Sequence, residues 1–166
     1  MKKRLSLLAA VSVLLLLSAL VYTWPHTLGQ WCPQFDLSTC TQVVGFYRLG
    51  ATREEASFVV HPGEAHFDEL VELFQVARFR LKLSNLLPRR AKTYIGDGIQ
   101  WEVVFSFENT PVEDGFVSGA LLGVDNFFGE LSVFTYGGDR FDCSVQGQEL
   151  WMKEVSRIVR LCGVEK

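Results

Sequence analysis

Histidine is scarce in this chain, with three among 166 residues. Only His61 and His66 stand near other metal-ligand types, Glu64 and Asp68. Their spacing is not His-Glu-x-x-His, and Pro62-Gly63 prevents one continuous helix from presenting both rings on one face. A helix N-terminus with acidic residues in its first turn accounts for the group without a metal. The third, His26, lies in a stretch without periodicity, a poor place to hold a general base. No Gly-x-Ser-x-Gly and no Cys-x-x-Cys occur, which argues against a nucleophile elbow and a dithiol redox site. Gly96-Asp97-Gly98 lacks the Lys and the helix start of a phosphate loop. No metal and no cofactor are expected.

A surplus of positive charge is also missing. The net charge is -3, and Lys2, Lys3 and Arg4 place three positive groups at the very start, so the remainder carries -6. Neutralising phosphates requires excess Lys and Arg, so nucleic acid is not an expected partner. Repeats and low-complexity tracts are absent too. Hydrophobic residues make up 48% and charged residues 21%, the composition of a folded chain rather than a disordered one. The length suits one domain.

What is present begins with the leader. Residues 5–22 carry no charge and include Leu14-Leu15-Leu16-Leu17. As a helix, such a run spans about 27 Å, near the hydrocarbon thickness of a bilayer. The preceding Lys2, Lys3 and Arg4 favour a cytoplasmic N-terminus and export of the rest. Ser18-Ala19-Leu20 is a poor cleavage signal. The expectation is a signal anchor over residues 1–22, or a signal peptide if cleaved. The protein is then single-pass in the cell membrane with an extracytoplasmic C-terminal domain, or secreted. Tyr22, Trp24 and Trp31 follow, where interfacial aromatics sit. Residues 23–41, with Pro25, Gly29 and Pro33, read as a tether, and residues 42–166 as a single domain.

Within that domain, residues 42–49 and 56–60 suggest a strand pair across a turn at 50–53. Residues 64–83 suggest a helix, with Phe67, Leu70, Phe74 and Leu81 on its apolar stripe and its basic residues late. Residues 99–107 alternate strictly. Trp101, Val103, Phe105 and Phe107 point one way, and Gln100, Glu102, Val104 and Ser106 the other, which predicts one buried and one wetter face. Residues 116–123 suggest another strand, and Asp125-Asn126 a turn. Residues 130–136 and 140–145 suggest a hairpin around Gly137-Gly138. Residues 147–162 suggest a closing helix with Trp151, Val155, Ile158 and Cys162 on one face. The fold class expected is α+β: a mostly antiparallel sheet of about six strands packed by two helices, after the N-terminal signal-anchor helix.

In an exported chain, four cysteines favour disulfides. Cys32 with Cys40 closes a short loop. Cys143 and Cys162 both point to the core and make the natural second pair, with ordinary buried thiols as the alternative. Arg78, Arg80, Lys82, Arg89, Arg90 and Lys92 form the one basic run, a candidate for contact with anionic headgroups or an acidic polymer. Val104, Leu121, Phe134 and Tyr136 share the second sheet face in the expected register and form a candidate contact patch for an envelope protein. Glu102 with Glu130 or Asp142 could supply paired carboxylates only if the fold joins them. The function expected is a membrane-anchored extracytoplasmic interaction or accessory module without catalysis. The alternative is a small exported hydrolase-like or ligand-binding protein whose acids converge only in the fold.

Overall fold

Alternating apolar residues dominate the structure, a computed structural model that describes residues 2–49, 54–87, 99–107, 121–127, 130–135, 138 and 140–164. The expected turn at 50–53 and the start of the strand expected at 116–123 lie outside the described residues, as do Gly96-Asp97-Gly98, Arg89, Arg90, Lys92 and Tyr136.

Seven strands form one antiparallel sheet. They are β1 (Gln42–Leu49), β2 (Glu55–Val60), β3 (Phe79–Leu81), β4 (Ile99–Ser106), β5 (Leu121–Asp125), β6 (Leu131–Thr135) and β7 (Arg140–Val145), in the order β2-β1-β4-β5-β6-β7-β3. The helices are α1 (Lys2–Tyr22), α2 (Leu28–Trp31), α3 (Phe67–Val76) and α4 (Gln148–Val164). The class is α+β, as expected, with one strand more than the sequence reading supplies.

Both hairpins read from sequence are present, with Val43 opposite Val60 and Leu131 opposite Cys143. The extra strand is β3. Helix α3 ends at Val76, because Ala77 is extended at φ -61° and ψ 137°. The next residues, Arg78-Phe79-Arg80-Leu81, alternate polar and apolar. That period of two suits a strand, so β3 pairs with β7, setting Phe79 against Val145 and burying Phe79. The helix expected to reach residue 83 therefore stops seven residues earlier.

The main core lies between the inner face of the sheet and α3 with α4. Trp101, Phe105, Phe74 and Trp151 form its centre. Phe74 meets Trp101 edge-on at 6.2 Å, Phe105 at 5.1 Å and Trp151 at 5.0 Å, the geometry favoured by aromatic quadrupoles. Trp151 Nε1 donates to Leu73 O at 3.2 Å, which ties α4 to α3. Residues 23–41 also contribute to this core: Leu28, Phe35, Leu37 and Cys40 are buried in it. The segment read as a tether is thus packed onto the domain through α2 and a 3-10 turn at Leu37–Thr39.

All four cysteines carry thiols, which corrects the expected disulfides. Cys143 and Cys162 do face the same core, but at different places. Cys143 is on β7, whereas the end of α4 beside Cys162 lies over Tyr47 and Ala56 of β1 and β2. Four inter-strand spacings separate β1 from β7, about 19 Å, against a disulfide Cα limit of about 7 Å. Cys40 is engaged elsewhere, since its Sγ donates to Gln42 O at 3.1 Å. Burial pushes the Cys143 thiol up to about 12 and the Cys40 thiol up to about 11, and raises that of Cys32 as well.

Helix α1 is different in kind. Its side chains are described from Ala9 onward, and those at residues 9–18 are all exposed. Leu14, Leu15 and Leu16 are each 65% exposed. Among the described residues no helix is long and apolar enough to cross a membrane, so the fold itself does not support the expected signal anchor.

Candidate functional site

The outer face of the sheet, opposite α3 and α4, carries the polar residues of the alternating strands. The alternation of β4 predicts that this face is wet, and the structure corrects that. Gln100, Val104 and Ser106 are buried, and only Glu102 is half-buried. All of β5 is buried. Both strands are interior members of the sheet, with a neighbour on each side.

Part of the cover comes from the face itself. Gly123 stands opposite Phe134, and a Cβ at Gly123 would collide with the Phe134 ring. The absence of a side chain lets that ring lie flat across the strand. Val104 and Leu121 form a small second apolar cluster, with Val44 and Phe134 packed against it. The structure thus brings together Val104, Leu121 and Phe134, three of the residues proposed as a contact patch, and buries two of them. Phe46 and Phe127 extend the aromatic surface, with ring centroids 6.3 Å apart.

Beside this cluster sits a charged group. Register places Glu102 of β4 directly opposite Asp125 of β5. Asp125 is fully buried. Its Oδ1 accepts from Phe127 N at 3.2 Å and forms an ion pair with Arg140 Nη2 of β7. Among the described residues its Oδ2 is buried without a hydrogen-bond partner. The Arg140 guanidinium also lies 5.6 Å from the centre of the Phe134 ring, within cation–π range. Burial pushes the Asp125 carboxyl up to about 7, partly offset by Arg140 and reinforced by Glu102. Burial also raises the Glu102 carboxyl, against the pull of Arg140. Two acids and one cation therefore share a poorly hydrated site.

That grouping differs from the one sought in the sequence. Glu102 meets Asp125 across the strands. Glu130 instead approaches Lys82, at 3.6 Å, and Asp142 Oδ1 accepts from Ser132 Oγ at 3.2 Å. Asp125 reads as a turn marker because Asn follows it. In the structure Asp125 is the last residue of β5, and Asn126 closes the strand end. Asn126 Oδ1 accepts from Trp101 N at 2.6 Å, and its Nδ2 donates to Ile99 O at 2.9 Å. The available signal was an acid two residues after Gly123, on the same face by period two.

The other candidates are spread out. Arg78 and Arg80 are exposed and Lys82 half-buried along the β3 edge. His61 and His66 each meet a carboxylate one turn on: His66 Nδ1 lies 2.6 Å from Glu69 Oε2, and His61 Nδ1 3.5 Å from Glu64 Oε2. Among the described residues no three His, Cys, Asp or Glu side chains form a group able to hold a metal ion. Two grooves are lined by none of Glu102, Asp125 and Arg140, although Asn126, next to Asp125 in the chain, lines the first. The first, of about 440 Å³, runs along α4 past Lys153, Ser156, Arg157 and Arg160, and the other lies between α2 and Gln75. Comparison with protein-family models, with curated proteins and with solved structures finds no match to this chain.

Proposed function

We propose that this protein is a membrane-anchored, extracytoplasmic interaction or accessory module without catalytic activity. The observation that carries the reading is the exposure of α1. Helices of folded domains hide an apolar stripe and show a polar one. Here Leu14, Leu15, Leu16 and Leu17 occupy successive positions around the helix and all are exposed, at 54–65%. A bilayer removes that area from water, at about 25 cal/mol per Å². The uncharged run and the three preceding positive groups set its direction. The folded body follows the helix outside the cytoplasm, where an envelope protein or an anionic surface is the partner class.

The charged group on the outer face supports a second reading, a hydrolase-like or ligand-binding site built on Glu102 and Asp125. Its raised carboxyls favour it. Asp125 is fully buried and already paired with Arg140, which favours a structural acid over one that meets substrate.

A C-terminal reporter that works only outside the cytoplasm, combined with alkaline extraction of membranes, tests the proposal. Reporter activity with the chain retained in the extracted membrane is expected. Activity confined to the cytosol would defeat it.

A further inference from the structure

Strand β3 is the last in the sheet, and its open side is met by the chain leaving α1. His26 N donates to Phe79 O at 2.8 Å, and Phe79 N donates to His26 O at 2.8 Å, in an antiparallel bridge. The antiparallel sense sends the chain before His26 alongside the residues that follow Phe79. Four residues back from His26 is Tyr22, the end of α1. Four residues on from Phe79 is Leu83, the start of a 3-10 turn at Leu83–Leu86. At about 3.5 Å per residue at most, each lies within about 14 Å of the bridge and on the same side of it. Thr23 N still donates to Ala19 O and Trp24 N to Val21 O, so α1 unwinds only just before the bridge, and its end and the start of that turn both lie near the open side of β3.

The turn presents apolar side chains to the outside. Leu83 is 49% exposed, Leu86 and Leu87 are 66% each, and Trp24, between α1 and the bridge, is 62%. Its backbone is nevertheless well fixed. Lys82 N donates to Asp142 O at 3.0 Å, Asn85 Nδ2 donates to the same oxygen at 2.7 Å, and Asp142 N donates to Asn85 Oδ1 at 2.9 Å. A turn held this firmly to β7 keeps its leucines outward. Arg80 is exposed just before it and Lys82 is half-buried. Leucines beside basic residues suit the boundary between acyl chains and anionic headgroups.

We infer that the β3 edge and its 3-10 turn form a second bilayer contact, with Leu83, Leu86 and Leu87 entering the headgroup–acyl boundary and Arg80 facing lipid phosphates, while Lys82 is held by Glu130. This rests on the reading that α1 is inserted. The bilayer is favoured over a protein partner because the exposed apolar helix α1 ends four residues before the bridge that closes on β3, within reach of the patch. The contact fixes the orientation of the body: the β3 edge lies against the membrane and β2, at the opposite edge of seven strands, stands about 29 Å away across the sheet.

Site-specific quenching in the full chain tests it. A fluorophore is placed at L86C, at L15C in α1, and at S57C on exposed β2. Each variant is reconstituted in phosphatidylcholine vesicles, with or without phosphatidylglycerol, that carry nitroxide lipids. L15C is expected to be quenched severalfold by deep nitroxides, L86C severalfold by shallow ones, and S57C by neither. Phosphatidylglycerol is expected to increase L86C quenching, and the increase to vanish in R80E. L15C quenched with L86C as unaffected as S57C overturns the contact while leaving the anchor in place. L15C unquenched removes the anchor, and the contact with it. An L86C signal indifferent to phosphatidylglycerol overturns the role of Arg80.

Discussion

Along the central strands β4 and β5 both faces of the sheet are largely buried, by different means. The inner face is apolar along its central strands, with Trp101, Val103, Phe105, Leu122 and Val124 covered by α3 and α4. The outer face of the same strands buries Gln100, Ser106, Asp125 and Ser132 around the small Val104–Leu121 cluster. The first is stabilised by area removed from water, which no change of pH alters. The second depends on each polar group finding a partner, and one of those groups titrates near neutrality. Burial by itself therefore does not identify which physics holds a strand.

The difference can be broken on either side. Trp101→Ala on the inner face removes a side chain that packs against Phe74 and Trp151. A loss of about 3–5 kcal/mol by denaturant unfolding is expected at every pH. On the outer face, Arg140→Met leaves Asp125 without its cation. A loss of up to about 3 kcal/mol is expected at pH 8, where Asp125 is ionised, and little at pH 5, where it holds its proton. Equal losses at both values would show that Arg140 acts by packing alone.

Asp125→Asn sharpens the same contrast. Its carboxyl is raised from 3.8 to about 7 in the fold, so the folded state binds the proton more tightly than the unfolded chain. The stabilising contribution is full below about pH 4, declines as pH rises to about 7, and is flat above. The Asn variant is expected to lack that decline in unfolding experiments across the range. Val104→Ala, in the small cluster, should cost about 1.5 kcal/mol without pH dependence. Smallest of all, Glu55→Ala removes the exposed partner of Arg48, and a thermal melt should register about 0.5 kcal/mol or less.

Much of the sheet was legible. Both hairpins, the alternation of β4 and the amphipathic α4 follow from period and turn residues. Strand β3 was not, because Arg78-Phe79-Arg80-Leu81 follows directly on a helical stripe and three residues are too few to outweigh it. The register that groups Val104, Leu121 and Phe134 was recoverable from alternation. Their burial was not, since alternation says which residues share a face and nothing of what lies over it. The pair Glu102–Asp125 was hidden for a related reason: cross-strand partners are set by pairing between β4 and β5, not by distance along the chain.

The sequence alone determined the local facts: the uncharged run with its three preceding cations, the α+β alternation of periods, and the lack of any motif tied to a reaction. These follow from nearest-neighbour chemistry along the backbone. Tertiary structure alone decided that Cys143 and Cys162 stand too far apart to bridge, that an acid at the end of β5 is buried against Arg140, and that His26 pairs with Phe79 on the open side of β3. Each depends on which strand lies next to which, and strand order arises from packing the whole sheet under its helices at once.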